Sequence, residues 1–136
     1  MGIELPMPEL ERYLHRIYPQ TQNRFTILRL TDHELDMQLH VNADDIRPGG
    51  TLSGPCMFTL VDCAFYALVL SQVGEEALAV TTNVNLNFMR KPLLADLTCT
   101  VRMLKKGRGL CMGDAMVYSE KTLVAQASVT YSIPPR

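Results

Sequence analysis

From Pro55 to Leu70 the chain reads Pro-Cys-Met-Phe-Thr-Leu-Val-Asp-Cys-Ala-Phe-Tyr-Ala-Leu-Val-Leu, an apolar run of helical length whose single ionisable carboxyl group is Asp62. A helix apolar on nearly every side has to be enclosed, so the remaining chain must supply a surface that wraps it. A carboxylate within such a helix is costly to bury and calls for a compensating role. Ser53-Gly54-Pro55 suits the entry, because Ser or Gly caps a helix and a proline in the first turn sacrifices no needed amide. The helix is expected to end near Gly74.

The flanking sequence supplies the wrapping. Leu10, Tyr13, Leu14, Ile17 and Tyr18 recur at helical spacing between Pro8 and Pro19, which predicts a short amphipathic helix over residues 9–18. Residues 25–30 and 35–41 read as two strands around the turn Thr31–Glu34, and 42–52, with Pro48-Gly49-Gly50, as a loop leading into the central helix. Four strands follow at 78–89, 97–104, 110–118 and 123–133, separated by plausible turns. In the first of these, Val80, Thr82, Val84, Leu86 and Phe88 are expected on a core face, and Thr81, Asn83, Asn85 and Asn87 on a polar one. The expected architecture is α+β, an antiparallel sheet wrapped around a central apolar helix. One domain is expected over 1–136, with 1–20 as helix and lead-in and 21–133 as the core; 136 residues suffice for a sizeable core.

The net charge of −1 and a pI near 6.3 give no footing for nucleic acid or an anionic membrane as partner. Residues 1–6 lack the basic and apolar regions of a signal peptide, and the apolar run is shorter than the roughly 20 residues that span a bilayer, so a cytoplasmic protein is expected. Cys56, Cys63, Cys99 and Cys111 lie in apolar stretches without a C-x-x-C pair and far from His15, His33 and His40. That pattern suits reduced, packed thiols, and neither a metal nor another cofactor is expected.

Three motifs taken together, Gly50-Thr51-Leu52-Ser53-Gly54-Pro55, Leu60-Val61-Asp62 and Asn85-Leu86-Asn87-Phe88-Met89-Arg90-Lys91-Pro92, resemble those of hotdog-fold acyl-CoA thioesterases. The nearest likeness is to the PaaI-like branch of the 4-hydroxybenzoyl-CoA thioesterase superfamily, over about residues 25 to 133. The resemblance implies a hotdog fold, hydrolysis of acyl-CoA to CoA and a carboxylic acid, and a homo-oligomer, dimer or tetramer, assembled by joining sheets. It carries the catalytic carboxylate onto Asp62 and a Ser/Thr position near the thioester onto Thr81. The loop departs from the family's Gly-Thr-Leu-His-Gly-Gly: Ser53 stands at the His, Pro55 at the second Gly, and Arg47 where an Asn is usual.

Thioester hydrolysis needs a group that activates water or attacks the carbonyl, and donors for the developing oxyanion. Asp62 is the candidate base or nucleophile. A solvated stripe of Thr59, Asp62 and Tyr66 is the competing reading, but it would leave Phe58 and Phe65 flanking open water. At the helix start, Gly54 and Cys56 offer amides and Pro55 offers none. Cys56 and Asp62 are about 9 Å apart along a helix axis, whereas one carbonyl must lie roughly 3 Å from both groups. A second subunit, presenting its helix start to Asp62, removes that conflict. The Cys56 thiol is alternatively a nucleophile favoured by the helix dipole, although no His partner accompanies it.

For the CoA phosphates the cationic candidates are Arg90, Lys91, Lys105 and Arg108. Arg47, beside Pro48-Gly49-Gly50, is a candidate contact for the pantetheine, the substrate carbonyl or a carboxylate that anchors the loop, and Gly50 and Ser53 of the loop complete the substrate-binding set. Charged hairpin turns serve equally well as solvated ends. A hotdog domain that binds acyl-CoA without cleaving it, as sensor or scaffold, is the main alternative; a hydratase is disfavoured because no His follows His40.

Overall fold

The computed structural model describes residues 2–135. The N-terminal periodicity gives α1 (Met7–Ile17), which buries Leu10, Tyr13 and Leu14. Next come β1 (Phe25–Leu30) and β2 (Glu34–Leu39). The segment expected as a plain loop is more structured: a 3-10 turn at Ala43–Asp45 precedes a small ribbon of β3 (Ile46–Arg47) and β4 (Thr51–Leu52). Then follow α2 (Gly54–Val73), β5 (Val80–Phe88), β6 (Leu97–Lys106), β7 (Leu110–Ser119) and β8 (Thr122–Ser132).

Six strands form one antiparallel sheet in the order β1-β2-β6-β7-β8-β5, leaving β1 and β5 as edges. The sheet wraps α2, which packs on β2, β6, β7, β5 and β8, and this is the hotdog arrangement expected from the sequence. Enclosure explains the helix's composition: Leu60, Val61, Ala64, Phe65, Ala67, Leu68, Val69 and Leu70 are all fully buried. By length and composition alone α2 would cross a bilayer, yet 78% of its most apolar window is buried inside the fold. The helix sits directly on the sheet because β7 has a glycine beneath it. A Cβ on Gly113 would lie 2.3 Å from the Phe65 ring and 2.2 Å from the Arg102 carbonyl, so any side chain there displaces helix or strand.

The far end of α2 closes on Gly74, whose φ of 89° is cheap only for glycine. Lys106 Nζ donates to the Gln72 carbonyl at 3.2 Å, a cation at the negative end of the helix.

One expectation about β5 fails. Its alternation breaks at an irregularity between Thr81 and Asn83, which shifts the parity, so Thr81 rather than Val80 turns toward α2. Val84 and Leu86 remain partly buried against the core, while Val80 and Phe88, expected inside, are 55% and 56% exposed. Phe58 on α2 is likewise exposed, at 43%, instead of being sheltered.

Candidate active site

The helix start is held from outside by a buried carboxylate. Asp45, only 4% exposed, takes a bidentate contact from the Arg24 guanidinium, at 2.6 Å to Oδ2 and 2.5 Å to Oδ1, and Arg24 also donates to the His40 carbonyl. Asp45 Oδ2 further accepts from the Asn42 amide, and the Asp45 carbonyl accepts from the Ser53 amide at 2.7 Å. The Arg24 hydrogen bonds hold the Asp45 carboxyl below the usual carboxylate range and raise Arg24 in turn. The whole approach to α2 is thereby tied to the start of β1.

Ser53 caps α2: its Oγ accepts from the Cys56 amide at 3.2 Å. Of the two amides expected to serve an oxyanion, Cys56's is therefore engaged by the cap, whereas Gly54's has no acceptor among the described residues. The Cys56 thiol donates to the Ser53 carbonyl, and burial pushes it up, so the helix dipole does not make it a thiolate. All four cysteines are unpaired and buried.

Further along α2, Asp62 is half-buried and held by two hydroxyls. Thr81 Oγ1 from β5 donates to Asp62 Oδ1 at 2.5 Å, and the Tyr131 hydroxyl from β8 donates to the same oxygen at 2.8 Å. Thr81 and Tyr131 face each other across the β5–β8 ladder. These groups open onto a cleft of about 370 Å³, walled by Tyr18, Phe25, Thr59, Tyr66 and Val80. Burial, then the Asp62 charge, raise Tyr131 far above its ordinary value; burial foremost lifts Tyr66 to about 12, and burial with Asp62 lifts Cys63 to about 12. All three stay neutral, so Asp62 is surrounded by donors and apolar rings, with no cation lining its cleft among the described residues.

A second cleft, about 510 Å³, lies at the start of α2 and is lined by Arg47, Gly54, Met57, Phe88, Arg90 and Lys91, among others. The Phe88 ring stands against Gly54, 3.1 Å from where a Cβ would be. The expected site residues thus fall into two groups: Asp62 and Thr81 share the first cleft; Gly54, Arg47, Arg90 and Lys91 share the second. Cys56 and Ser53 form the cap between the loop and the helix. Gly50 is exposed in the turn, its amide donating to the Arg47 carbonyl. Lys105 and Arg108 join neither group. Arg108 lines a third and larger cavity of about 830 Å³ at the C-terminal end of α2, beside Lys106 and Gln72, which contains none of the expected catalytic residues. Lys105 is exposed on the same hairpin.

The sequence reading missed Tyr131, along with Tyr18 and Phe25. A signal for Tyr131 does exist. It continues the buried series Ala125, Ala127, Val129 on β8, and a hydroxyl on a core face must find a partner, which the lone carboxylate of α2 provides.

Fold and site together define a hotdog-class protein built around one helical carboxylate. Residues 49–126 match the thioesterase superfamily, and the chain belongs to that family. Among solved structures, it is similar to a presumed thioesterase from a Silicibacter species, with 48% identity over 99% of this chain and 96% of that one and a TM-score of 0.92. A hypothetical thioesterase from Streptococcus pneumoniae, solved with coenzyme A, shares the fold at 20% identity, covering 93% and 98% of the two chains with a TM-score of 0.77. So does a mutant of the phenylacetic acid degradation protein PaaI from Thermus thermophilus, at 21% identity, 85% and 99% coverage and a TM-score of 0.75. No curated protein matches the chain.

Proposed function

We propose that this protein hydrolyses acyl-CoA thioesters at sites shared between two copies of the chain, with Asp62 of one subunit facing the α2 start of the other. The observation that carries the proposal is where β5 runs. Ala79, Val80 and Thr81 border the Asp62 cleft, and Phe88, Met89 and Arg90 border the helix-start cleft. Gly54 and Asp62, eight residues apart on α2, are about 12 Å apart along the helix axis, well beyond the roughly 3 Å reach of two groups acting on one carbonyl. β5 is also an unpaired sheet edge whose ends expose Val80, Phe88 and Met89 at 52–56%. Two such edges pairing antiparallel about a two-fold axis bring the start of one β5 to the end of the other. The same step covers the exposed apolar residues and closes the edge.

In each joined site Asp62 accepts a proton from water, or attacks the carbonyl directly. A C–O bond forms, the oxyanion is met by the partner's Gly54 amide, and the C–S bond breaks as the thiolate takes up a proton drawn from water; where Asp62 itself has attacked, water then hydrolyses the acyl anhydride, freeing the carboxylic acid and restoring Asp62. Arg47, Arg90 and Lys91 supply cations for the CoA phosphates. The reaction is redox-neutral hydrolysis and requires no electron carrier. The S. pneumoniae relative's coenzyme A supports this ligand class.

A panel of acyl-CoA esters with a thiol-trapping dye, run on wild type and Asp62→Asn together, tests the proposal. Thiol release by the wild type that collapses in the variant is the expected result. Tight acyl-CoA binding with no thiol released would establish the non-catalytic alternative instead.

A further inference from the structure

The two oxygens of Asp62 are treated differently by the fold. Oδ1 receives both Thr81 Oγ1 and the Tyr131 hydroxyl, whereas Oδ2 receives no donor among the described residues. The Tyr131 hydroxyl also lies 3.1 Å from the Asp62 backbone carbonyl, so its single hydrogen is shared between the backbone and side chain of the same residue. That geometry fixes the carboxylate relative to its own helix. Tyr131 in turn is rigid: it is 3% exposed, stacks on Tyr66 at 5.9 Å and 26°, and meets the Phe65 ring at 5.7 Å. Tyr66 is anchored by a 2.8 Å hydrogen bond to the Ala77 carbonyl.

Building on the thioesterase reading above, we infer that Tyr131 is a positioning residue which, with Thr81, clamps Oδ1 of Asp62 and leaves Oδ2 as the oxygen that acts on water or substrate. Two neutral donors on one oxygen hold the plane of the carboxylate, so the free oxygen keeps one direction in the cleft. No cation among the described residues lining the cleft competes for the carboxylate. The titratable neighbours are Cys63 and Tyr66 on α2, Tyr18 before β1 and Tyr131 on β8, with Glu76 acting on Tyr66 from the loop after α2.

The test is Tyr131→Phe, which keeps the stacked ring and deletes the hydroxyl, assayed for kcat and KM separately. The expected result is a kcat lowered by about tenfold with KM within about twofold. Thr81→Val is expected to act in the same direction, and Thr81→Ser, which retains the donor, to regain most of what the valine loses. This pair carries the test if Tyr131→Phe does not fold. Wild-type kcat in Tyr131→Phe or in Thr81→Val, or a Thr81→Ser protein no more active than Thr81→Val, would overturn the inference. Asp62→Asn assayed alongside separates the two levels: if it is inactive while Tyr131→Phe matches wild type, only the clamp is wrong, and if it remains active, the reading of Asp62 fails.

Discussion

The two clefts on one protomer are opposites. Around Asp62 the walls are aromatic, the ionisable neighbours are neutral, and the carboxylate is the one charge among the described lining residues. At the start of α2 the rim is cationic, with Arg47, Arg90 and Lys91; the Gly54 amide has no acceptor and no carboxylate lines the cleft among the described residues. One cleft can take up a proton but has no oxyanion donor from a helix start; the other can hold an anion but has no base. Each lacks what the other has, and β5 connects them. On the proposed reading, the difference makes the protomer half a site twice over, which a second copy would complete.

The largest expected effect breaks the comparison on the carboxylate side. Asp62→Asn is expected to lower kcat/KM by about a hundredfold or more with its melting curve unchanged, since the amide still accepts from Thr81 and Tyr131. On the other side, Gly54→Pro removes the free amide of the first turn and is expected to cost about ten- to a hundredfold in kcat. Gly54→Ala is its control, because it adds the same contact with Phe88 while keeping the amide, and it is expected to retain most of the activity that the proline loses.

A smaller effect concerns stability. Because Arg24 holds the Asp45 carboxyl below its ordinary range, the folded state binds that proton less readily than the unfolded chain. The stabilisation is complete above the unfolded value of about 4 and is lost as pH falls through the lower folded value. Asp45→Asn is expected to cost about 2 kcal/mol, less than a fully buried pair because Arg24 keeps some solvent contact, and to flatten this part of the acid dependence in denaturant melts. Smallest is the rim: Arg47→Ala with Lys91→Ala is expected to raise KM for acyl-CoA by about three- to tenfold, with the difference shrinking at high salt.

What could be read from the sequence follows physical rules. The uniform apolarity of residues 55–70 dictates enclosure, and alternation gives the sheet that encloses it, so the fold was legible. The lone carboxylate of α2 singled out Asp62 as a candidate, and rise per residue alone separated it from the helix start. Tyr131 was not legible from local pattern, because its role depends on the β5–β8 register that sets it opposite Thr81. The β5 irregularity was hidden for the same reason: strict alternation assigns Val80 to the core, and a ladder shift reverses it. Lys105 and Arg108 were grouped by charge, but the chain carries their hairpin to the opposite end of α2.

Subunit complementation tests the shared site most directly. Asp62→Asn and Gly54→Pro proteins, each strongly impaired alone, are unfolded and refolded together at equal concentration, and thiol release is measured. With sites built from two chains, every mixed dimer regains one intact pair of Asp62 and Gly54, and random mixing restores about a quarter of wild-type activity. Activity that stays at the level of the separate variants, in preparations where mixed dimers are demonstrated by mass, would contradict the account.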